Sequence, residues 1–182
     1  MARVIVSEFV ALDGVVEAPG GEEHPDGKNK WAMPYFSPDM GDETFAILKQ
    51  ADALLLGRRS YEHFAAAWPS MTDEAGFADR MNSLPKLVVT STLDRLDWNA
   101  TPLKGDPVAE VRELKESGSR DLLIMGSIQL VHALADAGLI DKYHLFVHPV
   151  IIGSGKRLFR EGNPVIGLHL AGTTGSAAAS SR

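Results

Sequence analysis

Three short apolar runs, none of them alternating with polar residues, constrain this chain most: Ala53-Leu54-Leu55-Leu56, Leu87-Val88-Val89 and Leu122-Leu123-Ile124-Met125. Strands of that composition are covered on both faces, which points to a parallel sheet with helices on either side. Each run stops at small, hydroxyl or basic residues: Gly57-Arg58-Arg59-Ser60, Thr90-Ser91 and Gly126-Ser127. Gly57 lets a ligand come close to the backbone, and Ser60 and Ser127 read as caps of the adjoining helices. Arg58 and Arg59 add positive charge beside the unpaired N–H groups of a first helical turn, where an anion is already favoured. Three such strand ends predict one nucleotide-sized ligand lying across the carboxyl edge of the sheet.

The rest of the chain alternates strand and helix. Residues Arg3 to Ala11 read as a first strand that ends in the turn Leu12-Asp13-Gly14. A long polar loop from Pro19 to Lys30, holding His24, turns aromatic at Trp31, Tyr35 and Phe36, as a lid or cleft wall would. Ser37-Pro38-Asp39 opens a helix to about Ala51. Further helices are expected from Ser60 to Trp68-Pro69, over Glu74 to Ser83, over Val108 to Ser117, and from Ser127 to Gly138. Lys142 to Val150 alternates as a strand before the turn Gly153-Ser154-Gly155. The class is α/β, one domain over residues 1–170 with a single central mixed, mostly parallel sheet flanked by helices. The tail from Ala171 to Arg182, poor in large apolar groups, is expected to be disordered.

Several function classes drop out. A net charge of −6 without a concentrated basic face argues against nucleic acid. With no cysteine, thiolate metal sites and disulfides are unavailable. His144 and His148 share one side of a strand but stand roughly 13 Å apart, too far to hold one metal ion alone. No apolar run reaches membrane-spanning length, so a soluble cytoplasmic protein is expected. The dinucleotide fingerprint G-x-G-x-x-G fails because Leu158 comes after Gly153 and Gly155 where a third glycine belongs. A phosphate-binding P-loop fails at Val150 and Arg157, and a hydrolase elbow around Ser154 fails at Lys156.

Another scaffold is therefore needed, and a set of ordered motifs supplies it. Leu12-Asp13-Gly14, Gly57-Arg58-Arg59-Ser60-Tyr61-Glu62, Trp68-Pro69, Asn82-Ser83-Leu84-Pro85-Lys86, Val88-Val89-Thr90-Ser91 and Gly126-Ser127 come first. His148-Pro149-Val150-Ile151-Ile152-Gly153-Ser154-Gly155-Lys156-Arg157-Leu158-Phe159 closes the set. In this order they resemble the dihydrofolate reductase-like superfamily, most closely its RibD C-terminal domain family, the reductase domain of bacterial riboflavin biosynthesis. The resemblance implies a dihydrofolate reductase-like fold, NADPH across the strand ends, and hydride transfer to a pterin-, pyrimidine- or related heterocyclic substrate. It places Gly57, Arg58, Arg59 and Ser60 at the adenosine-side phosphates and Thr90 and Ser91 near the adenine ribose. Gly126, Ser127 and Ile128 would face the pyrophosphate, and Ala11 and Leu12 would border the nicotinamide.

For proton delivery the resemblance directs attention to the helix after Ser37. There Asp42 is the expected acid; Asp39 reads first as a charge favourable at a helix start, and Glu22 or Asp26 could instead reach the ring from the loop. The chain departs from the family after Leu170, where a final hydrophobic edge strand gives way to glycine, threonine, alanine and serine. Two rival readings stand beside the reductase: a nucleotide- or pterin-binding module without turnover, and a structural homo-oligomer using an exposed sheet edge. A homodimer is expected.

Overall fold

The computed structural model describes residues 1–21, 24, 26–118, 121–162 and 165–176. Its elements run in the order β1 (Val4–Ala11), α1 (Pro38–Gln50), β2 (Ala53–Gly57), α2 (Arg58–Ala67), α3 (Phe77–Ser83) and β3 (Lys86–Val89). Then come β4 (Ala100–Leu103), α4 (Pro107–Ser117), β5 (Leu122–Met125), α5 (Ile128–Asp136) and β6 (Lys142–His148). Single 3₁₀ turns lie at Met33–Tyr35 and Trp68–Ser70.

The six strands form one sheet in the order β4-β3-β2-β5-β1-β6. Every strand pair is parallel, so the expected central sheet contains no antiparallel strand among the described residues. Growth runs outward from β2 to β4, then returns to place β5 between β2 and β1. That reversal brings the carboxyl ends of β1, β2 and β5 side by side and opens a crevice there.

The unbroken apolar runs have the predicted cause. Leu54, Leu55 and Leu56 have no exposed surface, because successive side chains point to opposite faces and both faces are covered. Leu55 joins Val4, Val6, Ile124 and Leu134 beneath α4 and α5, whereas Leu54 and Leu56 join Ile5, Ile47, Leu48 and Met81 beneath α1, α2 and α3. Helix starts match the capping chemistry at two places. Ser37 Oγ accepts from Met40 N, and Asp106 accepts from Val108 N and Ala109 N.

β4 is unforeseen in the sequence, since Ala100-Thr101-Pro102-Leu103 neither alternates nor runs apolar. It pairs with β3 from Lys86↔Ala100 to Val89↔Leu103. Lys86, at the start of β3, is fully buried. Its ammonium donates to the Asn82 carbonyl at 3.0 Å and lies 3.9 Å from the Trp98 ring centroid. Burial lowers this lysine from 10.5 to about 8. The unfolded chain therefore binds more protons than the folded one between about pH 8 and 10.5. Stability should rise with pH across that window, and urea denaturation midpoints should show a shallower rise in Lys86→Met.

Beyond His148 the chain leaves the sheet. Residues 165–176 are exposed and carry neither helix nor strand, and the Ser176 hydroxyl lies 2.6 Å from that of Ser37. The final edge strand that the resemblance implies is absent among the described residues. Residues 177–182 of the expected disordered tail lie outside them. No described helix is long and apolar enough to cross a membrane.

Candidate active site

A cavity of about 1490 Å³ opens along the carboxyl edge of the sheet and is lined by residues 57–60, 89–92 and 125–130. Gly57, Arg58, Arg59, Ser60, Thr90, Ser91, Gly126, Ser127 and Ile128 therefore meet around one space. The two serines do not cap helices in the expected way. Helix α2 begins at Arg58 with Gly57 at its N-cap, so Ser60 stands inside the first turn. Ser127 does precede α5, but in a left-handed conformation (φ 57, ψ 39) and with no bond from its side chain to its own helix.

Their hydroxyls cross instead. Gly57 N donates to Ser127 Oγ at 2.9 Å, and Ser127 N donates to Ser60 Oγ at 2.9 Å. This reciprocal clasp joins the β2–α2 and β5–α5 turns and occupies one lone pair of each serine, leaving each hydroxyl proton available to an acceptor in the cavity. Gly126 makes the crossing possible: its φ is +67, and a Cβ there would stand 3.2 Å from Ser60 Oγ.

Helix starts around the cavity differ in a way that matters for an anion. Pro107 of α4 lines it, but the Asp106 carboxylate already takes the first N–H groups of that helix. No described side chain caps α2 or α5, so the two helix starts that line the cavity carry no side-chain acceptor, although Leu130 N and Val131 N of α5 donate to the Ser127 carbonyl. Arg58 and Arg59 are exposed at the start of α2 and form no ion pair among the described residues. Thr90, by contrast, is buried, and its Oγ1 accepts from Thr92 N and Leu93 N, each at 3.2 Å.

The remaining predicted positions lie elsewhere. Ser7, Glu8 and Phe9 of β1 line the cavity, whereas Ala11 and Leu12 do not. Ala11 is buried with Val15, Trp31, Ala32 and Ile152, and Leu12 projects into solvent. Asp42 is likewise displaced: it and Asp39 are exposed on α1, and it is Thr44 of that helix that reaches the cavity. Asp26 accepts from Ser154 Oγ at 2.5 Å, away from the lining, and Glu22 lies outside the described residues. Two carboxylates line the cavity instead: Glu17 on the loop and Glu8 on β1, the latter 5% exposed.

The long loop forms a wall through Val16, Glu17, Ala18, Pro19, Gly20 and His24, with Lys156 beside it. It is strapped to the turn after β6. Gly153 N donates to Asp13 Oδ2 at 2.7 Å, Lys156 pairs with Glu17, and Lys28 Nζ donates to the Ile152 carbonyl at 2.7 Å. Burial alone would raise the Glu17 carboxyl, yet hydrogen bonds from Lys156 and its charge hold it below the usual carboxylate value. The buried His24 ring accepts from Asp26 N at Nδ1 (3.1 Å), which leaves Nε2 to donate to the Ser154 carbonyl at 3.2 Å. Among the described residues no three histidine, aspartate or glutamate side chains are grouped to hold a metal ion.

A match to the RibD C-terminal domain family extends over residues 2–177. The chain belongs to that family. A curated relative, the uncharacterized protein YyaP of Bacillus subtilis, is 30% identical over 174 residues, covering 94% of this chain and 87% of the relative. Among solved structures, the family member's fold is similar to a putative riboflavin biosynthesis protein from Shewanella sp. PV-4. The TM-score is 0.72 and the identity 22%, with 94% of this chain and 90% of that one covered. It is also similar to dihydrofolate reductase from Enterococcus faecalis complexed with NADP(H), with a TM-score of 0.56, 17% identity, and 87% and 77% of the two chains covered. The fold is thus the dihydrofolate reductase-like one, and the fold family includes reductases.

Proposed function

We propose that this chain is an NADPH-dependent reductase acting on a small pterin-, pyrimidine- or related heterocycle. The observation that carries the reading is the convergence on a single cavity of two helix starts that no described side chain caps, two arginines without a carboxylate partner among the described residues, and two clasped serine hydroxyls. These groups suit a ligand with phosphates at more than one point. Arg58 and Arg59 would meet the phosphate of the adenosine side. Gly126, the hydroxyls of Ser60 and Ser127, and the N–H groups at the start of α5 would hold the pyrophosphate. Ser7, Glu8 and Phe9 replace Ala11 and Leu12 as the residues beside the reacting ring.

When bound, the dinucleotide supplies the hydride. Reduction of an imine-like carbon also needs a proton at the adjacent nitrogen, and a carboxyl group on a wall shared with Phe9, Val16 and Met125 suits that task. Glu8 takes the role expected of Asp42. A cytoplasmic location and one small-molecule substrate complete the reading; neither nucleic acid nor a membrane enters it.

Titrating the chain with NADPH and with NADH, by calorimetry, is the direct test. Saturable binding that favours NADPH is expected, and no binding of either refutes the proposal. Measuring NADPH absorbance with a panel of pteridines and aminopyrimidines then separates a reductase from a binding module, because the module binds without consuming the cofactor.

A further inference from the structure

The basic side chains that line the cavity fall into two groups. Arg58, Arg59 and His63 come from α2, at the strand ends, and none of them pairs with a carboxylate among the described residues. Lys156 and His24 belong to the loop side, and both are already committed to the chain. Lys156 pairs with Glu17, and His24 Nε2 meets the Ser154 carbonyl at 3.2 Å. Arg157, the next residue, donates to the Asp13 carbonyl.

The pairing of Lys156 does not by itself decide what the loop side accepts, because a half-exposed ammonium changes partners at little cost. Glu17 is held more firmly. Its side chain is 16% exposed where that of Lys156 is 45%, and its Oε2 also accepts from the backbone N–H of Lys156 at 3.2 Å. The turn that carries this N–H packs directly on the wall. Gly155 has a φ of +113, and a Cβ there would stand 2.7 Å from His24 Nε2 and 3.4 Å from Glu17 Oε2. Burial opposes the Glu17 charge, but the hydrogen bonds and charge of Lys156 hold the carboxyl below its usual value, so it is ionised at neutral pH. If Lys156 swings toward a ligand, a carboxylate stays behind on the wall.

On the reductase reading, we infer that Glu17 sets the specificity of the loop side by repelling phosphate, so that the substrate is a heterocycle without a phosphate group. The phosphates of the dinucleotide keep to the strand ends, where the basic side chains have no carboxylate beside them among the described residues. A phosphate dianion brought beside a fixed, partly buried carboxylate meets like charge where water screens it poorly. An uncharged ring does not.

Calorimetry on the NADPH-saturated chain tests this with two matched pairs of ligands: dihydroneopterin and its phosphate ester, and a 6-ribosylaminouracil and its 5′-phosphate. The member without phosphate should bind, and bind about tenfold more tightly than its phosphorylated partner; raising the salt concentration should narrow that preference. Glu17→Gln keeps the shape of the side chain, removes the repulsion and releases Lys156, so it should abolish or reverse the preference by improving the phosphorylated member. Lys156→Met leaves the carboxylate and should keep the preference. Circular dichroism checks both folds. A Glu17 that only buttresses the wall would, on substitution, weaken both members alike and leave their ratio unchanged, which overturns the inference. So does tighter binding of the phosphorylated members to the unaltered chain, a preference indifferent to salt, or no binding of any of the four with NADPH in place. Failure of NADPH to bind is read before any pair is added and refutes the reductase reading itself.

Discussion

Replacing Glu8 with glutamine is expected to lower turnover about 10²–10⁴-fold, the usual contribution of general acid catalysis, while NADPH affinity changes little. The amide keeps the shape of the side chain but has no proton to deliver at neutral pH. Glu8 is the expected source because it is buried on the cavity wall, within β1. Asp42, exposed on α1, should tolerate Asp42→Asn with turnover unchanged. The pH–rate profile of Glu8→Gln should also lose the limb that reports the acid. Full activity in Glu8→Gln would assign the proton to water or to the substrate.

Arg58→Ala and Arg59→Ala are expected to weaken NADPH binding about tenfold each, the low end for a charged hydrogen bond because both guanidinium groups face solvent. NADH, which lacks the additional phosphate, should lose much less. Raising the salt concentration should narrow the difference between the two cofactors. Parallel calorimetric titrations read all of this, and equal losses for NADPH and NADH would remove the arginines from that phosphate.

The strand-end half of the cavity was legible because its cause is local. An unbroken apolar run requires cover on both faces, and the residues that end it must then lie at the sheet's edge, as Gly57, Thr90 and Gly126 do. Glu8 was missed because a carboxylate after Val4-Ile5-Val6 reads as an interruption. The signal lay in the next three residues, since Phe9, Val10 and Ala11 continue the strand and keep Glu8 within it. Ala11 and Leu12 were placed at the ring by resemblance, whereas the cavity meets β1 a few residues nearer its start. The crossing of Ser60 and Ser127 could not be read locally. Each serine looks like an ordinary cap, and the bond joins residues 67 positions apart. β4 escaped because a proline-containing edge strand has neither alternation nor an apolar run.

The serine clasp divides the cavity into a part that resists change and a part that accepts it. Altering either serine strands a backbone amide of the opposite turn, so the two turns are constrained to vary together. The wall formed by the long loop has no share in that arrangement, because it is strapped through Asp13, Glu17 and Lys28 to the turn after β6. Substitutions in the wall can reshape the space above Glu8 while the clasped turns stay intact. A scaffold divided in this way can change one wall of its cavity by drift in a single loop, without disturbing the strand ends opposite.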